Sequence, residues 1–373
     1  MFNFSPKFRL AHKLEGPQDA VLSLSCSENA RFLTATGYNG VAVWELETLT
    51  PVVVPEQYGA PKSSRYMPTA CAWLYLQSPD THVLLLGTVG EVIAWRWNES
   101  KKIFEPFGRA TTTWAQVTSM DVGATDISSG NTCVVAAFAD HTVTVWDFTP
   151  DGTFQEALSV TLNETFLPKA VFLEKKTHHI YTFALDGGKV ALLSRTDGSV
   201  LWQKKAAHEF TGSVSVDPSW ERFVIGTGKD FQVLDTSTLD TLRTLEGSGP
   251  LVVPRSMQVS ITANGAHFVT GTDSGQAILH NITDGTIMQK LRYPRGGLVQ
   301  TVTAFATKDY QYIVTAGSSP GDSADVLIWH NKPRVQLRQV AEDILIGMLM
   351  VFVYGPIMCL VVLYYMDQES LTM

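Results

Sequence analysis

At 373 residues the chain can bury a large core or divide into two or three ordinary domains. Charged residues make up 17 %, aromatic residues 10 %, and Gly (28) and Pro (17) are frequent, which suits a turn-rich all-β domain better than a helical one. The net charge of −8 supplies no basic field for nucleic acid, and the cysteines (Cys26, Cys71, Cys133, Cys359) show no CxxC spacing that would signal a zinc site or a disulfide framework.

Taken in chain order, residues 1–16 (MFNFSPKFRLAHKLEG) lack the apolar h-region of a signal peptide. Four Asn-x-Ser/Thr triplets, at Asn3, Asn98, Asn163 and Asn281, are therefore read as chance matches. Within that stretch, 7–15 (KFRLAHKLE) reads like the outer strands of the units that follow.

From there to residue 332 one pattern recurs seven times: an apolar strand, a polar turn, a strand ending near a small residue, a turn, and an apolar strand closing on a bulky residue. The closing strands are VAVWEL (41–46), VIAWRW (92–97), VTVWDF (143–148) and VALLSR (190–195), then FQVLDT (231–236), AILHNI (277–282) and VLIWHN (326–331). Taking Trp44, Trp95, Trp146, Leu193, Leu234, His280 and Trp329 as equivalent, the intervals are 51, 51, 47, 41, 46 and 49 residues. That is near the spacing of a four-stranded propeller blade, about 40–45 residues in compact form. The expected fold is an all-β, seven-bladed propeller over 1–332. Outer strands such as 241–245 and 286–291 would follow each of the first six blades, and 7–15 would supply the seventh blade's outer strand, leaving no open edge.

The third unit, CVVAAFADHTVTVWDF, resembles a WD40 repeat, with Asp140 in the turn and Trp146-Asp147 closing the strand. The first unit is similar, with Asn39 in the turn and Trp44 closing. The sixth keeps Asp273 but ends in His280, and the seventh closes on Trp329. The resemblance covers about nine-tenths of the chain and implies a scaffold rather than an activity. WD40 blades often join a Gly-His pair, a Ser or Thr on the second strand, the turn Asp and the closing Trp in one network. No unit here holds all four; His208 after Ala207 is the nearest echo of Gly-His. A divergent member is expected, held mainly by apolar packing.

Candidate chemistry is sparse. Gly226-Thr-Gly-Lys-Asp230 lacks the P-loop spacing and reads as a turn, and His178-His179 has no acid or Cys at ligand spacing. The stretch 321–325 (GDSAD) reads as a loop rather than a cation site. The stretch 197–202 (DGSVLW) resembles the tryptophan-docking repeat of quinoprotein propellers, which implies a quinoprotein-like enzyme as one alternative reading, but it occurs once. The turn acids Asp140, Asp186, Asp230 and Asp273 are expected to hold their own loops. No catalytic, cofactor-binding or metal-binding residue and no small-molecule substrate is expected. The inserts 54–67 and 110–115, with Tyr58, Tyr66 and Trp114, are the expected interaction loops.

The end of the chain has a different composition. Residues 344–366 (ILIGMLMVFVYGPIMCLVVLYYM) carry no charge. As a helix they would rise roughly 34 Å, enough for a hydrocarbon core of about 30 Å. Residues 333–343 then form a juxtamembrane tether and 367–373 a short luminal tail. Lys332, Arg334 and Arg338 precede the run while only Asp367 and Glu369 follow it, so the propeller is expected in the cytosol. Insertion after translation would resemble the tail-anchored class, with the endoplasmic reticulum or another endomembrane as the expected address. Function is expected to be a membrane-anchored scaffold for cytosolic proteins. The alternative is a regulator of nucleotide exchange on a small GTPase, since one such family pairs a cytosolic propeller with a C-terminal membrane segment. Its glycine-rich N-terminal potassium-binding loop has no match in residues 1–40.

Overall fold

The computed structural model describes residues 7–332 apart from 18, 39, 56–66, 78–79, 126–129, 247–256 and 322. The chain divides into a unit Met1–Asn331 and a unit Lys332–Met373. Beyond Lys332 the second unit, with the tether 333–343, the apolar run 344–366 and the tail 367–373, lies outside the described residues. Among the described residues no helix is long and apolar enough to cross a membrane.

Every described element is a strand. β1 (Arg9–Glu15) is followed by a four-stranded sheet of β2 (Val21–Cys26), β3 (Phe32–Gly37), β4 (Gly40–Glu45) and β5 (Thr50–Val52). A seven-stranded sheet comes next. It contains β6 (Ala70–Gln77), β7 (Asp80–Gly87), β8 (Val89–Asn98), β9 (Ile103–Thr125), β10 (Thr132–Phe138), β11 (Thr142–Phe148) and β12 (Phe154–Thr161). The third sheet is β13 (Pro168–Leu173), β14 (Ile180–Ala184), β15 (Lys189–Leu193) and β16 (Val200–Lys205), and the fourth is β17 (Ser213–Val216), β18 (Arg222–Gly226), β19 (Asp230–Asp235) and β20 (Thr241–Glu246). The fifth is β21 (Val259–Ile261), β22 (His267–Thr270), β23 (Gln276–Asn281) and β24 (Ile287–Arg292). In the last, β25 (Thr301–Ala306), β26 (Gln311–Ala316) and β27 (Asp325–Asn331) are completed by β1.

This β-propeller corrects the expectation of seven separate four-stranded blades. Among the described residues there are five four-stranded sheets and one seven-stranded sheet, because β9 is a single strand of 23 residues. Its first half pairs with β8, from Asn98↔Ile103 to Glu91↔Thr111, and its second half with β10, from Thr132↔Thr125 to Phe138↔Val117. The expected insert 110–115 is thus part of a strand. Arg-Ala-Thr-Thr-Thr-Trp (109–114) is rich in strand formers and holds no Gly or Pro to break the backbone.

The ends of the described chain meet: β1 pairs antiparallel with β27, from Arg9↔His330 to Glu15↔Asp325. Phe8 and Leu14 are buried in the same joint, and the Phe8 amide donates to Gln289 Oε1 at 2.8 Å. The Asp325 carboxylate is buried between Lys13 Nζ and Arg295 Nε, each 2.9 Å from Oδ2.

Within each sheet the middle strands are covered on both faces. β3 (FLTATG) and β14 (IYTFA) are buried at every position, whereas outermost strands such as β20 (TLRTLE) are mostly exposed. The apolar runs on the second and third strands are therefore what the core needs. Between the first sheet and the seven-stranded one, Phe32 stacks on Trp73 with centroids 5.7 Å apart and packs against Trp97 and Phe104. Fully burying a ring of this kind contributes about 2 kcal/mol. Turns close tightly: Gly275 takes φ +72°, and a Cβ there would stand 2.7 Å from the Gly296 Cα.

Candidate functional site: the central channel and its rim

The innermost strands β2, β6, β13, β17, β21 and β25, with the second half of β9, stand around a channel of about 740 Å³. An innermost strand presents an unpaired edge, and a buried unpaired N–H is costly. Side chains of the preceding sheet answer it. Ser119 Oγ and Asp121 Oδ2 accept the amides of Val171 (3.2 Å) and Leu173 (2.8 Å). Ser213 and Ser215 accept those of Val259 (3.2 Å) and Ile261 (3.1 Å). Gln258 and Ser260 accept those of Val302 (3.3 Å) and Ala304 (3.0 Å). The ring closes where Thr301 Oγ1 donates to the Val21 carbonyl at 2.8 Å.

Strand directions alternate, so the turns between second and third strands share one rim with the sheet-to-sheet crossovers. That rim carries Tyr38 at the channel mouth, 39 % exposed, and Trp114 at the crossing point of β9, 75 % exposed. Tyr58, Tyr66 and Asn39 lie outside the described residues.

The residues expected to mark the repeats fall in several separate environments. Trp44 and Trp329 are buried between sheets, and Trp146 between the two halves of the seven-stranded sheet. The last blade keeps a hydroxyl–indole contact, with Trp329 Nε1 donating to Thr315 Oγ1 at 3.2 Å. Asp147 instead faces the next sheet, where Arg195 Nη2 donates to its carboxylate at 2.6 Å. Asp140 accepts the Thr142 amide (3.2 Å), and Asp273 accepts Gln300 Nε2 (2.7 Å). His208 is buried with Nε2 3.0 Å from Thr211 Oγ1, so the Ala-His pair serves its own crossover loop.

The remaining candidates resolve into turns. Thr227 and Asp230 hold each other across Gly228 (φ +85°), and His178 takes φ +57° in a turn. Asp197 accepts the Ser199 amide at 3.1 Å, and β16 begins only at Val200. Asp325 of the 321–325 stretch is committed to Lys13 and Arg295. Burial pushes the Cys71 thiol up to about 11 and the Cys26 thiol higher still, so both stay protonated at neutral pH.

One channel residue escaped the sequence reading. Lys169, beside Pro168 at the start of β13, lines the channel, and burial pushes its pKa below the usual lysine range. A single Lys in a strand looks like a solvent-facing position until the ring is closed around it. No protein-family model matches the chain, and no curated protein is found to be related to it.

Proposed function

We propose that this protein is a non-enzymatic interaction scaffold of divergent WD40-like type, whose crossover rim binds cytosolic proteins and whose run 344–366 anchors it in an endomembrane. The observation that carries the first half is Trp114. An indole that keeps three-quarters of its surface exposed on a β-strand, rather than on a loop, is an anchor already held in place. Tyr38 at the channel mouth extends the same aromatic face. The second half is supported by the charge-free run and by the basic residues that precede it.

Two measurements test the reading. A fluorescent fusion of the full chain should sit on an endomembrane, and the same fusion without 341–373 should be soluble; a soluble full-length protein refutes the anchor. In capture from nonionic-detergent extract, the full chain should retain partners that a tail-only control and Trp114→Ala lose. Equal recovery by Trp114→Ala refutes the rim.

A further inference from the structure

Lys169 occupies an unusual electrostatic position. Among the described residues lining the channel it is the one charged side chain, and none of the described side chains gives it a hydrogen bond or an ion pair. An ammonium drawn out of water without a counter-charge is unfavourable, and structures normally pair or neutralise such groups. β13 carries no acid opposite it, and its flanking strands supply donors instead. Ser119 on β9 and Ser213 on β17 each spend an Oγ lone pair on the amide of the next sheet. That leaves each hydroxyl proton to be donated elsewhere. Ser260, used the same way by Ala304, adds a third donor on the channel wall.

In a chain of net charge −8 the channel is thus a cavity of neutral donors around one cation. Its volume of about 740 Å³ exceeds what a lone inorganic ion needs and falls within the roughly 300–1,000 Å³ of small-molecule sites.

We infer that the central channel binds a small organic anion, whose carboxylate or phosphate group is held by the Lys169 ammonium with hydroxyl donors from Ser119 and Ser213. The ammonium supplies a point charge and the hydroxyls fix its direction. The site is built on Lys169, Ser119 and Ser213 rather than on the rim aromatics, of which Tyr38 borders the same channel.

The test uses the full chain in nonionic detergent at constant ionic strength, titrated with glutarate or with glycerol 2-phosphate while thermal midpoint and binding heat are followed. At least one probe should raise the midpoint saturably. A response to glutarate alone assigns a carboxylate ligand, and a response to glycerol 2-phosphate alone an organic phosphate. Lys169→Met should weaken binding at least about tenfold, as expected for loss of a charge-assisted contact, while Lys229→Gln, on an exposed turn, should not. Lys169→Met without probe should melt no lower than wild type, because it removes an unpaired charge. If it does not fold, the Ser119→Ala/Ser213→Ala pair takes its place and should weaken binding likewise. No saturable shift with either probe, or an unchanged shift in the folded variant, overturns the inference.

Discussion

Asp121 accepts the Leu173 amide at 2.8 Å across a sheet boundary. Burial, the largest influence, pushes its pKa up to about 6, against opposing hydrogen bonds from the Leu173 and Val122 amides. The folded state therefore favours the neutral carboxyl. Its contribution is fully present below the unfolded value near 3.8 and is lost as pH rises through about 6. Asp121→Asn keeps an acceptor for Leu173 and cannot ionise. It should match the wild type near pH 4 and exceed it at pH 7.5, by up to roughly 3 kcal/mol, in denaturant unfolding followed at both pH values. A variant less stable at pH 7.5 would mean that the ionised form is the one the boundary needs. In the sequence, Asp121 and the paired serines at 119, 213, 215 and 260 look like the solvent face of alternating strands. Their polar face meets the next sheet's edge, which alternation alone does not distinguish from water.

At the scale of elements, the joint between β1 and β27 is the most exposed to test. Deleting residues 1–15 strips β27 of its pairing edge, empties the places of Phe8 and Leu14, and removes Lys13 from the buried Asp325 carboxylate. The thermal midpoint should fall by about 5 °C or more, and size-exclusion chromatography should show association through the bared edge. An unchanged midpoint would show that the joint contributes little. The repeated strands were legible because each apolar run matches a buried middle strand, and residues 7–15 because they resemble the other mostly exposed outer strands such as β20. The continuity of β9 was not. Tight turns separate the other strands, but over 109–114 the spacing invites an insert while Thr and Trp keep the backbone extended, and local composition does not say which prevails.

For the molecule as a whole, acid should be the weakness. Burial pushes His82 down to about 4, aided by the neighbouring Arg31 charge, and lowers His208, His267 and His280 as well. A histidine depressed in the fold contributes stability above its unfolded value near 6.5, and that contribution is lost as pH falls toward the folded value. His82 sits in the Phe32 aromatic cluster and His280 stacks on Phe268 with centroids 4.9 Å apart, so charging either disturbs a sheet boundary. Between pH 7 and 4.5 the melting temperature should drop steadily, and His82→Gln should flatten part of that slope. A pH-independent midpoint over this range would show that these rings are already charged or already exposed. Asp121 acts in the opposite sense over part of the range, but it is one group against four.

The pairing of Glu15 with Asp325 also sets a clock. At roughly 5–20 residues per second, the intervening chain takes about 15–60 s to synthesise. Throughout that interval β1 exists with its partner strand unmade. Its sequence, RLAHKLE, exposes Arg9, Lys13 and Glu15 and buries little beyond Leu14. Such a strand can wait in water without recruiting a neighbour, whereas an outer strand as apolar as β3 could not. The charge on β1 is thus suited to a strand that is made long before its partner.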